Sequence, residues 1–457
     1  MFKKYKEKFI GDREFYANLI RLIIPMIVQQ GITSFVSLLD NVMVGRLGTE
    51  SMSGVAIVNQ LLFVFNLTIF GGLAGASIFG AQFYGKGDHK GVRYALRFKL
   101  IFSVLMAVIA IVALLFFNNP LISLFLTESE SGGDLVLTLS EAKNYLFVML
   151  IGLIPFSFSQ SYSSTLRETG ETVSPMTASI IAIVTNFVLN YILIFGSFGA
   201  PRLGVVGAAI ATVVSQLFSG LLCTWWFFTR VEGIHFTREN CVLSAGHCGR
   251  LAYIGLPMGF EYSVSAIGAF IMQDAINLLG STAVAAQTAG EKIRQMFTVP
   301  MASVGTAMAT YVGQNHGAHR TDRVRQGIRD GCILQLCYCA AAWVVLFFVK
   351  GWAVGLVLGD ADPAVTSGAV EYLTVISVLF CINGLLMVFR NTLQGLGYSV
   401  QAVISGVGEL IGRALCGWLA VHSLGYFGIC IANPIAWGLA LLYCVFMVTR
   451  VLKKENA

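Results

Sequence analysis

Charge is what this sequence lacks most. Only 12% of its 457 residues are Asp, Glu, Lys or Arg, whereas 56% are hydrophobic. The mean hydropathy of +0.75 is well above that of soluble globular domains, and no stretch is polar for long enough to form a separate soluble domain. The composition therefore indicates a membrane-spanning protein.

Catalytic and metal-binding motifs are also missing. The sequence contains no HExxH, no GxSxG and no Asp-rich loop, which argues against an integral-membrane protease or glycosyltransferase. All ten cysteines follow residue 222, and they form no CxxC pair and have no His partner at zinc spacing. We therefore expect a protein that is not an enzyme, with no cofactor, no disulfide and no thiolate metal site.

Apolar stretches, in contrast, recur along the whole chain. Each is long enough to cross a hydrocarbon core of roughly 30 Å. They are continuous rather than alternating, and a lipid-exposed backbone must pair within its own segment, so we predict helices rather than barrel strands. The twelve predicted spans are 17–46, 52–83, 93–118, 140–165, 172–196, 205–229, 250–279, 285–313, 329–349, 367–394, 400–422 and 428–449.

The basic residues predict an orientation. With the N-terminus in the cytoplasm, 22 of the 30 Lys and Arg fall on inner segments, including five at 86–99, and four fall on outer ones. Such a bias predicts a multi-pass protein of the inner (plasma) membrane with both termini cytoplasmic. Arg390, near the inner end of the tenth span, is expected to snorkel to the interface. The net charge of +6 indicates contact with anionic lipid rather than nucleic acid.

The chain is an internal repeat. A shift of 232 residues aligns Pro25-Met26 with Pro257-Met258 and Gln82–Gly85 with Gln314–Gly317, and a shift of 227 aligns Thr165-Leu166 with Thr392-Leu393. Six spans per repeat place both repeats in parallel, as in secondary transporters. We predict an all-α integral membrane fold with twelve transmembrane helices, arranged as two pseudo-twofold-related six-helix lobes around a central cleft. The predicted boundaries are 1–230 for the N-terminal lobe, 231–249 for a cytoplasmic linker and 250–457 for the C-terminal lobe.

Asp40 is the first candidate functional residue. It lies in the outer half of the first span, about 22 Å beyond Pro25 along the helix, where an unpaired carboxylate is costly and therefore a functional hypothesis. A proton, a Na⁺ ion or a cationic substrate can each neutralise it in turn, which is what antiport requires. Asn186 and Asn190, at i and i+4 of the fifth span, could complete the site. The alternative is a structural hydrogen bond.

The second half carries further candidates. Glu261 occupies the position that Gln29 holds in the first half, so it is a candidate for coupling or for binding a substrate cation, with a structural polar contact as the alternative. Glu291 with Arg294, and Glu409 with Arg413, have the spacing of intrahelical ion pairs. Pairing within the helix is the simpler interpretation of these four residues. In the other interpretation they line a wet cleft and adjust its potential.

Several segments resemble the multidrug and toxic compound extrusion (MATE) family. They are DNVMVGRLG at 40–48, GAQFYGKGD at 80–88, NYILIFGSFGAPRLGVVGAAIATVVSQ at 190–216, GQNHGAHR at 313–320 and FRNTLQGLG at 389–397. The resemblance spans nearly the whole chain. It implies export of organic cations or other amphiphilic small molecules by antiport with H⁺ or Na⁺, through alternating access.

Three residues refine the resemblance. Asn190 stands where DinF-type members have an Asp, so the chain looks closer to the NorM-type branch. Glu261 resembles the acid of the seventh helix in that branch, whereas Asn383 stands where those members carry an acid in the tenth helix. The family implies a possible Na⁺ at Asp40 or Glu261, and we expect a monomer. The alternative function is a lipid-linked oligosaccharide flippase of the wider superfamily, whose cleft should be rich in Arg and Lys.

Overall fold

The computed structural model describes residues 13–123, 135–231, 245–359 and 362–454. Every regular element in these ranges is helical. The helices are α1 (Arg13–Gly45), α2 (Thr49–Gly85), α3 (His89–Ser123), α4 (Leu135–Glu168), α5 (Val173–Phe195), α6 (Val205–Arg230), α7 (Ala245–Leu278), α8 (Ser281–Gly317), α9 (Thr321–Leu358), α10 (Pro363–Val378), α11 (Phe380–Gly395), α12 (Ser399–Leu419) and α13 (Tyr426–Lys454). Two short turns accompany them, a 3₁₀ turn at Ser197–Gly199 and a π-helical turn at Ala420–Leu424.

The helices form twelve spans. Eight of the described helices are each long and apolar enough to cross a membrane, and α10 with α11 form a ninth span that is bent by 51°. The other three, α1, α7 and α8, have 33, 34 and 37 residues, which is ample length for a span of about 20 residues. The prediction of an all-helical membrane fold with twelve spans is confirmed.

The helix boundaries repeat with the same offsets as the sequence. Both ends of α2 and α8 lie 232 residues apart, as do the first residues of α3 and α9. The last residues of α4 and α11, Glu168 and Gly395, lie 227 apart. The two halves differ at one element, because α4 is continuous whereas its counterpart is broken at Leu379, between α10 and α11.

The chain divides into two compact units. The N-terminal unit comprises Ile24–Gly80 and Asp88–Gly255, and the C-terminal unit comprises Leu256–Ala457 with Ala81–Gly87 and Met1–Ile23. Both units include residues outside the described ranges. The predicted linker at 231–249 lies mostly outside the described residues, and the lobe boundaries stay a prediction.

Each unit has its own apolar core. In the N-terminal unit the core contains buried side chains from all six helices, among them Val44, Phe65, Leu114, Leu146 and Ile194. In the C-terminal unit a second cluster joins α7, α12 and α13 through residues that include Met272, Cys416 and Ile429. These cores hold the polar side chains of neighbouring helices at fixed positions.

Lys99, one of the basic residues counted on an inner segment, has a buried acidic partner. α3 begins at His89, so Lys99 lies ten residues inside the helix, and its side chain is fully buried. Its ammonium group pairs with Glu168 and donates to Ser164 Oγ and Thr165 Oγ1, both at 3.2 Å. Counting charges along the chain does not reveal this buried partner on another helix, and the assignment of residues 86–99 to the inner side stays a prediction.

Candidate functional site

Asp40 lies among amides. The Asn190 side chain donates through Nδ2 to Asp40 Oδ1 at 2.5 Å and to Asn186 Oδ1 at 3.0 Å. Asp40 stands five residues before the end of α1, and Asn190 stands five residues before the end of α5, so the two side chains meet at the same end of two parallel helices. The structure thus brings together the three residues that the sequence predicts for one site.

The contacts continue from Asn186 toward α6. Asn186 donates to Thr212 Oγ1 at 3.3 Å, and the Thr212 hydroxyl donates to the carbonyl of Ala208 in its own helix. Asn186 and Asn190 are buried, whereas Asp40 is partly exposed. The buried Asn190, itself bonded to Asn186, therefore contacts the carboxylate from one side, and part of the carboxylate stays accessible.

The charge of Asp40 has no cationic partner in the described ranges. The ion pairs there join Lys and Arg to other acids, and none includes Asp40. Oδ1 of Asn190, buried beside the carboxylate, accepts no hydrogen bond from any described residue. A carboxylate that is hydrogen-bonded to an amide can take up a proton or a cation without first giving up an ion pair.

Gln29 lies in a separate contact. Its amide donates to Ser179 Oγ on α5 at 2.8 Å. The counterpart of this contact in the C-terminal unit is Glu261 beside Gly406, where a Cβ atom on Gly406 would lie 3.8 Å from Glu261 Cγ. The two repeats thus place a polar side chain against the same neighbouring position, and only the second one is ionisable.

Glu261 belongs to a cluster of charges. Gln394 donates to Glu261 Oε2 at 3.0 Å, and Arg390 Nε lies 3.5 Å from Glu261 Oε1. Arg390 also pairs closely with Glu409 and donates to Ser405 Oγ at 3.1 Å. Arg390 is buried, so the expectation that it snorkels was wrong. The acids of α7 and α12 hold its guanidinium inside the unit instead.

Arg413 extends this cluster to the other acid–base pair. It donates to Glu409 Oε2 at 3.2 Å and to Asn433 Oδ1 at 3.2 Å. Asn433 in turn donates to Glu291 Oε1 at 3.4 Å, and Glu291 accepts from Arg294 Nε at 2.7 Å. Both predicted intrahelical pairs therefore form, and one continuous chain of polar contacts links them.

Tyrosine and glutamine side chains complete the Glu291 end of that chain. The Tyr372 hydroxyl donates to Glu291 Oε1 at 2.6 Å, and Gln287 donates to the same atom at 3.3 Å. The Arg294 guanidinium also lies over the ring of Trp437, 5.9 Å from its centroid. Glu291 is more exposed than Glu409, with 26% against 5% of the side chain accessible. The Glu409 end of the chain of contacts is therefore the less solvent-exposed one.

Asn383 does not join this chain. It is buried, its Nδ2 contacts Met301 Sδ at 3.8 Å, and its Oδ1 has no partner among the described residues. Groups of three or more His, Cys, Asp or Glu able to hold a metal ion are also absent from the described part of the chain.

Sequence reasoning did not find several members of the C-terminal cluster. Arg390 was assigned to the interface because it lies near the end of a span, and Gln394, Tyr372 and Asn433 were not identified at all. A usable signal did exist for Arg390. It lies inside a predicted span without an acid at i±3 or i±4, so burial would require an acid from another helix.

Comparison with known proteins gives a consistent result. The family model MatE matches residues 25–192 and 257–418. A probable multidrug resistance protein NorM of Thermotoga maritima is 28% identical over 350 residues, which cover 76% of this chain and 73% of that protein. Another of the same name, from Pseudomonas syringae pv. tomato, is 27% identical over 465 residues and covers 96% of both chains.

Solved structures show the same fold. A crystal structure described as MATE in the bent conformation superposes with a TM-score of 0.87 at 20% identity and covers 98% of both chains. The family match comprises more than half of the chain and contains both repeats. The chain therefore belongs to the MatE family, and its relatives named above are multidrug resistance proteins of the NorM type.

Proposed function

We propose that the protein is a secondary active transporter that exports organic cations and amphiphilic small molecules by antiport with H⁺ or Na⁺. Asp40 carries the exchange: it binds either the coupling ion or the cationic cargo, and alternating access of the two lobes exposes it to each side in turn. Asn186 and Asn190 orient the carboxylate. The protein works as a monomer in the inner membrane with both termini in the cytoplasm.

The observation that supports this proposal most is the environment of Asp40. An intramembrane carboxylate is expensive to bury, yet the described group that hydrogen-bonds to Asp40 is the amide of Asn190 and not a cation. A permanent ion pair would satisfy the charge and block exchange. An amide partner instead stabilises the ionised form modestly and leaves a binding place for one cation.

The second predicted carboxylate, Glu261, is placed differently. Arg390 and Gln394 contact it directly, and Glu409 lies behind Arg390. The same pairing argues against a flippase for lipid-linked pyrophosphates, because such a cleft needs cations that are free to bind phosphate. The intramembrane arginines Arg294, Arg390 and Arg413 are each held by an acid.

Asp40→Asn tests the proposal directly. We expect cells that express the wild-type chain to extrude ethidium in an energy-dependent manner, and cells that express Asp40→Asn to accumulate the dye although the variant is folded and inserted. Asp88→Asn is the matched control, since Asp88 caps the start of α3 by accepting from the Gly91 amide and Asn can still cap. Normal accumulation in wild-type cells, or full efflux by Asp40→Asn, would contradict the proposal.

Everted vesicles identify the coupling ion. Dye uptake is measured with a pH gradient alone and then with a sodium gradient alone. Proton coupling predicts uptake in the first experiment only, and sodium coupling predicts uptake in the second only. Uptake in neither experiment would contradict secondary transport.

A further inference from the structure

We propose that Arg390 is a built-in counter-cation for Glu261. Arg390 belongs to a group here named the C-terminal charge cluster, which consists of Glu261, Arg390, Glu409 and Arg413. The cluster is neutral as a whole and holds α7, α11 and α12 in position, and it is not a second coupling site. The inference rests on the proposed cation-coupled transport, and it assigns the carboxylate of the C-terminal unit a different role from Asp40.

Geometry is the first argument. Both acids of the cluster face arginines: Arg390 lies between Glu261 and Glu409, and Arg413 donates to Glu409 at 3.2 Å. Arg413 also reaches the carbonyl of Ser265, one turn beyond Glu261 on α7, at 3.4 Å. Two guanidinium groups thus connect α7, α11 and α12 through their acids and one backbone carbonyl.

Charge balance is the second argument. The cluster contains two carboxylates and two guanidinium groups. The exposed fraction of the side chain ranges from 5% at Glu409 to 14% at Arg413. A cation or proton that neutralised Glu261 would leave a net charge of +1 in this dry surrounding, which is costly because buried charges need partners. The same event at Asp40 removes an uncompensated negative charge instead. Cation binding is therefore favoured at Asp40 and opposed at Glu261.

The internal repeat supplies the third argument. The counterparts of the four cluster residues, at offsets of 232 for α7 and 227 for the later helices, are Gln29, Ser163, Ala182 and Asn186. All four are uncharged. One half of the protein carries the complete set of charges and the other half carries none of them, as expected if the charges serve to balance one another.

At the Asp40 site the polar residues occur in the N-terminal half instead. The counterparts of Asp40 and Asn190 in the C-terminal unit are Met272 and Gly417. These two also face each other, because a Cβ atom on Gly417 would lie 3.8 Å from Met272 Sδ. The contact between the helices is thus kept while its polarity is lost, so the unbalanced carboxylate occurs on one side of the repeat only.

A double substitution separates positioning from coupling. We expect Glu261→Gln to raise the KM for a monovalent cationic dye in proteoliposomes, because it leaves the cluster at +1. We expect Arg390→Gln to lower the KM and slow turnover, because it leaves a free carboxylate that retains the dye. Glu261→Gln should lose at least about tenfold in kcat/KM and Arg390→Gln at least about tenfold in kcat, whereas Glu261→Gln/Arg390→Gln should return to within about twofold of wild type in both.

The outcomes that would overturn the inference are distinct. If the double variant is as inactive as Glu261→Gln while folded, Glu261 itself carries the coupling cation. If both single variants behave like wild type, the cluster positions nothing. Should the double variant fail to fold, the neutral pair Glu409→Gln/Arg413→Gln provides the same comparison with its own single variants. Arg390→Lys, which keeps the charge, should retain more activity than Arg390→Gln.

Failure of the proposed function would look different. Wild type and Asp40→Asn are assayed in the same proteoliposomes. Absence of dye transport by wild type, or full transport by Asp40→Asn, contradicts cation-coupled export through Asp40 whatever the cluster variants do.

Discussion

The ion pair of Lys99 with Glu168 lies inside the N-terminal unit, whereas that of Arg230 with Glu171 lies at its surface. The first pair has 0% and 4% of its side chains exposed, and the second has 50% and 26%. Gly80 of α2 packs against the buried acid so closely that a Cβ atom there would meet Glu168 Oε2 at 1.9 Å. Three helices therefore depend on the geometry of the buried pair.

Removing one partner of each pair should give very different results. Lys99→Met leaves the Glu168 carboxylate buried without its cation, and we expect a loss of about 3–5 kcal/mol in the free energy of unfolding. Arg230→Met, the matched control, should cost about 0–1 kcal/mol because its pair is solvated. Titration with SDS in mixed micelles measures both. Equal losses in the two variants would show that burial does not decide the value of the pair.

Individual residues were predictable where a single helix carries the signal. Asp40 stands out as a carboxylate in an apolar run, and Asn186 and Asn190 share one helix face, so the sequence predicts the site that the contacts assemble. Arg390 was not predictable in the same way. Its partners Glu261 and Glu409 lie on other helices, and the span pattern does not specify which helices touch.

At the scale of the element, the ends of α2 and α8 cross at very short distance. A Cβ atom on Gly85 would lie 1.9 Å from the carbonyl oxygen of Gln314, and one on Gly317 would lie 2.0 Å from that of Gln82. Both glycines end their helices, 232 residues apart, and the crossing lies within the C-terminal unit. The amide of Gln82 also donates to the carbonyl of Gly395 at 2.8 Å. The repeated Gln-x-x-Gly motif is thus a packing motif for two backbones.

A methyl group at this crossing should force the helices apart. We expect Gly85→Ala and Gly317→Ala each to destabilise the protein by about 1–3 kcal/mol, the usual cost of overpacking, and to lower the temperature of thermal unfolding. Gly351→Ala is the matched control, because Gly351 lies within α9 with no neighbour closer than 4 Å to the new methyl. A crossing that tolerates alanine without a shift in unfolding temperature would contradict this account.

The break between α10 and α11 shows where prediction of elements fails. The sequence predicts one continuous span at 367–394, but Leu379 has φ −97° and ψ 8°, and two helices meet there at 51°. No proline lies near this position. Phe380 is fully buried, and Cys339 of α9 donates its thiol to the Phe380 carbonyl at 3.5 Å. Packing against another helix fixes the break, and the hydropathy pattern along the chain does not indicate it.

At the scale of the whole molecule, the two halves share a fold and differ in charge. The repeat and the span count were predictable because duplication preserves helix boundaries, as the common offset of α2 and α8 shows. The difference between Asp40 and Glu261 was not predictable, because both are carboxylates within apolar spans and the sequence does not show their partners. They differ in their partners, an arginine for one and an amide for the other.

This difference predicts the charge moved in each transport cycle. If Asp40 is the one carboxylate available for exchange and the C-terminal charge cluster stays neutral, one positive charge enters for each monovalent cationic cargo that leaves. The exchange is then electroneutral, so a membrane potential alone should not drive it. We expect proteoliposomes with a potassium diffusion potential set by valinomycin to accumulate no monovalent dye, whereas a chemical gradient of the coupling ion drives uptake. A divalent dye should respond to the potential, because its exchange for one monovalent ion moves net charge. Uphill movement of the monovalent dye on potential alone would mean that a second carboxylate takes part in the cycle. Glu261 would then be the residue to test by substitution.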